Sequence, residues 1–200
     1  MSKTIPSALK AGFLAAGFAT VNALPAMAGQ APGTFTVTSS SFSDGGMLTT
    51  KMAADDPTRM CGGQNVSPAL SWSNAPANTK SFVIFLWDPE GLLGAGVSHW
   101  VAYGIPANVT TFAEGEMAKQ SGKFIGGKGT RDNALYIGPC PPAGDAVHHY
   151  VFTVIATDLD PASMTPGMTR EQVYTMLAPS GLAGPNHALK GATIVGKYGR

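Results

Sequence analysis

Five stretches of this chain carry the hydrophobic patterns of strands. Phe35-Thr-Val-Thr38 alternates apolar and polar positions, and Gly45-Gly46 then marks a turn. Ser81-Phe-Val-Ile-Phe-Leu-Trp87 is a continuous apolar run rich in β-branched and aromatic residues, as in a strand covered on both faces, and it stops at Asp88-Pro89. His99-Trp-Val-Ala-Tyr103 ends at Gly104 and Pro106, and His149-Tyr-Val-Phe-Thr-Val-Ile-Ala156 ends in the turn-forming stretch Asp158 to Pro161. Ala192-Thr-Ile-Val195 with Tyr198 predicts a last strand. Helical periodicity is confined to one place. Thr169-Arg-Glu-Gln172 spells a capping box, Val173, Met176 and Leu177 share one face, and Pro179 with Gly181 ends the run. A short helical turn is expected around Asn186 to Lys190, and Glu114 to Asn133 reads as a Gly- and Lys-rich excursion over the surface.

Composition narrows the class. The chain has 200 residues, room for one domain with a real core. Hydrophobic residues make up 44% and charged ones 12%, so charge repulsion does not drive disorder here. Gly 25 and Pro 15 favour many turns and short strands over long helices. A net charge of +1 leaves no electrostatic footprint for nucleic acid. The expectation is a single mostly-β domain with one or two peripheral helices.

The first 28 residues read as a signal peptide. Lys3 and Lys10 give a positive start, Ala11 to Ala19 is apolar, and Ala26-Met-Ala28 is the small-x-small pattern of a cleavage site. The apolar part is shorter than the ~20 residues a membrane span requires. Cleavage after Ala28 would leave residues 29–200 as the domain and place it in the periplasm or outside the cell. Export changes the meaning of Cys61 and Cys140. In an oxidising compartment they can form a disulfide, while two buried thiols is the other reading, and their separation is unlike a metal-binding cysteine pair.

Familiar catalytic signatures are missing. Gly122 to Gly129 nearly spells a phosphate-binding loop, but Gly129 stands where a magnesium-binding Ser or Thr is needed. Gly91-Leu-Leu-Gly-Ala-Gly96 lacks dinucleotide spacing, and there is no Gly-x-Ser-x-Gly or His-Glu-x-x-His. The histidines are more informative. His99, His148 and His149 stand at strand starts, Asp88 at a strand end, and Gly138-Pro-Cys-Pro-Pro142 just ahead of His148. Strand tips gather at one end of a sheet and can line a common mouth. That would bring Asp88, His99, His148 and Tyr150 together, with proline as a stiff wall.

Asn65-Val-Ser-Pro-Ala-Leu-Ser-Trp72, Asp88-Pro89, His99-Trp100, Gly138-Pro-Cys-Pro-Pro142 and His148-His-Tyr150 come in an order that resembles the phosphatidylethanolamine-binding proteins, most closely their bacterial Raf-kinase-inhibitor-like branch. The resemblance runs from about Phe35 to Tyr198. It implies a large antiparallel sheet packed on a smaller one, with an anion-binding pocket at one end. By motif, Asp88, His99, Pro141, Pro142, His148 and Tyr150 would form that pocket, and Glu90, Cys140 and His187 would stand behind it. No cofactor or metal is implied. Two departures bear on the pocket rim: the usual Asp-Pro-Asp-Ala-Pro is Asp88-Pro-Glu-Gly-Leu92 here, and Gly104 replaces an Asn.

Such residues favour binding over turnover. Imidazoles donate best to an anion when protonated, so capture should strengthen as pH falls from ~7.5 towards 6. Tyr150 adds a phenolic donor. The implied ligand is a small anion or phospholipid head group, with modulation of an unidentified partner protein as a further role. The alternatives are an inhibitor of an extracytoplasmic hydrolase or protease, and a hydrolase using His99 or His148 as base with Asp88 as orienter. The structural readings are that strand-end histidines pair with carbonyls, that Asp88 opens a turn, that Trp72, Trp87 and Trp100 are core, and that Lys119, Lys123, Lys128 and Arg131 form a solvated face. His149 alternates with His148 and is expected to point away from the pocket.

Overall fold

The computed structural model describes residues 33–178 and 186–200. The expected leader and the Pro179–Gly181 helix stop lie outside them. Among the described residues nine strands form: β1 (Thr36–Thr38), β2 (Gly46–Met47), β3 (Leu70–Ser73), β4 (Ser81–Asp88), β5 (Val97–Pro106), β6 (Thr111–Phe112), β7 (Ile125–Gly126), β8 (His148–Thr157) and β9 (Ala188–Tyr198). The large sheet has the order β2-β9-β8-β4-β5-β7, and the small one β1-β3-β6. Every pairing is antiparallel except the two-residue β2, which runs parallel to β9.

The apolar run read as doubly covered is β4, in the middle of the large sheet, and its alternation serves two cores. Phe82, Ile84 and Leu86 face the small sheet, in one cluster with Val37 of β1, Phe35 just before it and Trp72 of β3. Val83 and Phe85 face the other way, with Val101, Tyr103, Val173 and Leu177. The second layer is the helix α1 (Arg170–Leu177), started by the expected capping box: Thr169 accepts from the Gln172 amide while the Gln172 side chain accepts from the Thr169 amide. Its Arg170 guanidinium lies over the Trp87 ring, 4.3 Å from the centroid.

Two sequence expectations are corrected. Asn186 to Lys190 does not form a helical turn, because from Ala188 onward the chain joins β9 and pairs along the whole of β8. The Glu114 to Asn133 segment is more than a surface excursion. Met117 and Phe124 enter the core between the sheets, and Ile125–Gly126 pairs with β5 as β7.

Candidate functional site

Because β4 lies between β5 and β8 and runs antiparallel to both, its last residue meets the first residues of its neighbours. Asp88 ends β4, His148 begins β8, and all three of Asp88, His99 and His148 are less than a tenth exposed. His148 and Tyr150 are two apart on β8 and so share a face. His99 reaches the same place by a different device. Leu86 pairs with Trp100 and Trp87 with Ser98, so His99 is the extra residue of a β-bulge. A bulge breaks strict alternation. Trp100 packs between the sheets, and His99, its neighbour, still meets the Tyr150 ring on that side at 5.2 Å.

Asp88 is the hub. Its Oδ1 accepts the backbone N–H groups of Glu90 and Gly91, both at 3.0 Å, which closes the turn after Pro89. Its Oδ2 accepts His148 Nδ1 at 2.8 Å and lies 3.8 Å from His99 Nε2. The turn-opening role and the histidine-orienting role are therefore held together by one side chain. Burial raises the carboxyl pKa, but the bonds and charges of His99 and His148 outweigh it and bring Asp88 down to about 2. His99 Nδ1 donates to the Ile137 carbonyl at 2.8 Å, because a carbonyl can only accept, and this turns Nε2 towards Asp88.

Tyr150 is fully buried, and its hydroxyl has no hydrogen-bond partner among the described residues. Burial and the nearby Asp88 charge push its phenol upward, so it remains a donor. These side chains open into a cavity of about 370 Å³ that Cys140, Pro141 and Pro142 also line. Cys61 and Cys140 form a disulfide with Cα atoms 5.3 Å apart, fastening this wall to the segment that follows the Pro57–Arg59 turn, 79 residues earlier in the chain. Gly138 passes so close to the Met52 carbonyl that no Cβ would fit, and its N–H donates to Asn65 Oδ1 at 2.8 Å. Asn65 opens the Asn-Val-Ser-Pro motif, so that motif supports the wall. Arg200 completes it, with Nε donating to the Pro141 carbonyl at 2.6 Å and Nη1 to the Met60 carbonyl at 2.6 Å.

Several placements differ from expectation. His187 sits by Asp158, Nδ1 to Oδ1 2.8 Å, beside the Thr157–Ala188 pair at the far end of β8, and is no part of the pocket. Glu90 lines the cavity but is bonded to His149, whose backbone N–H and Nδ1 donate to its two oxygens at 3.0 and 2.9 Å. Burial raises the Glu90 carboxyl pKa and the His149 bonds lower it further, for a net decrease. His149 is exposed, as expected. Trp72 and Trp100 are core, whereas Trp87 carries Arg170. Arg131 was expected on a solvated face, yet it lines the cavity, as does Arg59. Neither arginine sits in a motif; Arg59 ends a single 3-10 turn, Pro57–Arg59, and Arg131 lies in a loop, both too short for any periodicity to flag them. Gly104 stands at φ +63 in a second bulge near the other end of β5, a conformation that Gly and Asn both tolerate, so this departure leaves the pocket rim untouched.

The lining mixes donors and acceptors. Tyr150, Arg59 and Arg131 present O–H or N–H groups, His99 and His148 each have Nδ1 committed to the protein, and Asp88, Glu90 and Asp145 are carboxylates, with Asp145 4.0 Å from His148 Nε2; no serine, threonine, lysine or free thiol lines the cavity among the described residues. Asp88, Glu90 and His148 bring ligand atoms within 4.8 Å of one another. Asp88 is bonded to His148 and Glu90 to His149.

Comparison with known proteins agrees with this architecture. The family model described as phosphatidylethanolamine-binding protein matches residues 38–198. YbcL of Escherichia coli (strain K12) is 37% identical over 126 residues, covering 61% of this chain and 68% of its own. A Methanothermobacter thermautotrophicus protein is 34% identical over 146 residues, covering 70% and 87%. The crystal structure of E. coli YbcL, described as a new member of the mammalian PEBP family, superposes with a TM-score of 0.72 at 31% identity, over 83% of this chain and 98% of that one. The structure of CT736 from Chlamydia trachomatis gives 0.66 at 30% identity, over 83% and 97%. The two sheets and the match across nearly all described residues place this chain in the phosphatidylethanolamine-binding protein family.

Proposed function

We propose that the cavity receives a small anionic group, a phosphate ester of a phospholipid head group being the best fit, and that the protein acts by holding it rather than by turning it over. The observation that carries this reading is the Tyr150 hydroxyl, fully buried and unpaired beside two imidazoles. A buried donor without an acceptor is costly, by about 1–3 kcal/mol, and a ligand oxygen relieves that cost. Asp88 would repel an anion if bare, but its oxygens are taken up by two backbone amides and by His148. Export to the periplasm or beyond remains part of this proposal; no helix among the described residues is long and apolar enough to cross a membrane.

Calorimetric titration with glycerophosphoethanolamine tests the reading, because a phosphodiester keeps its charge near neutral pH. Saturable binding is expected. Tyr150→Phe is expected to bind about tenfold more weakly, for the loss of one hydrogen bond of ~1.4 kcal/mol. Its unliganded stability should rise, by about 1 kcal/mol or more, since the substitution removes a buried hydroxyl that no protein hydrogen bond satisfies. Unchanged affinity in Tyr150→Phe would remove the observation on which the proposal stands.

A further inference from the structure

The loop Gly91-Leu-Leu-Gly-Ala-Gly96 lacks the spacing of a nucleotide-binding motif, and the pocket reading leaves its two leucines unexplained. Leu92 is 62% exposed and Leu93 107%, so Leu93 stands clear of the protein. Both have left-handed backbones, φ 52° and 59°, which leucine rarely adopts. The loop is nonetheless built firmly. The amides of Glu90 and Gly91 are held by Asp88, Gly94 N–H donates to the Glu90 carbonyl and Gly96 N–H to the Gly91 carbonyl. Gly96 packs directly on the Trp87 ring, where a Cβ would not fit. The leucines are thus held outward by the structure, and both line the mouth of the cavity.

The mouth also carries Arg59 and Arg131, together with the exposed carboxylates of Glu90 and Asp145. Arg59 uses one N–H group on the Cys140 carbonyl and Arg131 lies 3.6 Å from Asp56, which leaves most of their donors unspent. Next to Arg59, Met60 is 79% exposed. Guanidinium donors, carboxylates and protruding apolar tips beside a hole for a polar group complement a layer of head groups carrying both phosphate and ammonium over acyl chains. A protein partner fits less well, because a stable interface covers roughly 800 Å² per side and two leucines and a methionine supply only a fraction of that.

We infer that Leu92 and Leu93 are an interfacial lip that enters the surface of a phospholipid bilayer while the cavity takes a head group from it. This rests on the pocket reading above and adds to it the physical state of the ligand, lipid in a bilayer rather than a free ester. In the full chain, Leu93→Cys would be labelled with an environment-sensitive fluorophore, with the Cys61–Cys140 bridge left oxidised. Lys190→Cys, exposed and near the opposite end of the large sheet, is the control site for bilayer contact made elsewhere on the chain. With vesicles of phosphatidylethanolamine and phosphatidylglycerol, the label at position 93 is expected to shift to shorter wavelength and the label at 190 to stay as in water. Adding Leu92→Ser to the protein labelled at position 93 is expected to weaken vesicle binding about tenfold by that signal. A label at 93 that stays wet, or equal shifts at both sites, overturns the inference. So does a shift at 93 that grows with protein concentration in the absence of vesicles, which would mean a second copy covers the lip. Titration of wild type with soluble glycerophosphoethanolamine separates the two ideas: if it binds while position 93 stays wet, the lip falls and the pocket stands, and if it does not bind, both fall.

Discussion

A carboxylate has about four directions in which to accept hydrogen bonds, and Asp88 uses three on Glu90 N–H, Gly91 N–H and His148 Nδ1. Its charge is therefore part of the folded state and not merely of the site. A carboxyl lowered from 3.8 to about 2 contributes stability that is present above the unfolded value and is lost as pH falls through the folded one. The expected contribution is roughly 2 kcal/mol, disappearing between about pH 4 and pH 2. Urea unfolding of wild type and Asp88→Asn at pH 5 and pH 2.5 checks it. The variant should be less stable at pH 5 and lose less on acidification; parallel losses would mean that Asp88 is not the responsible group. Residue types were legible here in a way that geometry was not. Asp88, His99, His148 and Tyr150 stood out as strand-tip polar residues, but nothing in the order of letters said that Arg131 would face the same cavity or that His187 would pair with Asp158 at the other end.

Among the elements, β4 and β8 were readable because a buried strand must be apolar at nearly every position, and α1 because its capping box announces itself. The bulge that turns His99 was not readable. Strict alternation would place neighbouring His99 and Trp100 on opposite faces, and only the pairing of Leu86 with Trp100 and of Trp87 with Ser98 releases them from it. The loop after β4 depends on a comparable detail. Gly96 has φ +88 and no room for a Cβ against Trp87. Gly96→Ala should cost about 1–3 kcal/mol in thermal or urea unfolding, from left-handed strain and overpacking together. It should also weaken glycerophosphoethanolamine binding, because the loop carries the amides that hold Asp88. Wild-type stability in that variant would mean the loop can shift without cost.

At the scale of the molecule, the cavity wall is assembled from segments far apart in the chain. The disulfide closes a sequence separation of 79 residues, Arg59 holds the Cys140 carbonyl, and Arg200 holds those of Pro141 and Met60. A covalent closure of that length limits the unfolded chain and is worth about 4 kcal/mol. Cys61→Ser with Cys140→Ser, or reduction of the wild type, should lower stability by that order in urea and weaken head-group binding by loosening the wall. Full retention of affinity in a destabilised double variant would show that Arg59, Arg200 and the Asn65 bond to Gly138 hold the wall unaided.

Local chemistry determined five of the extended segments, where α1 begins, which polar residues stand at strand tips and that five motifs follow a known order. These features depend on neighbours along the chain, through alternation, capping and turn preference, so a linear reading reaches them. The tertiary structure alone decided the bulge at His99, the arrival of Arg59 and Arg131, the exclusion of His187 and the outward hold on Leu92 and Leu93. Each of those depends on which strand lies beside which and in what register, and register is settled by packing across the two sheets rather than by any one stretch of sequence.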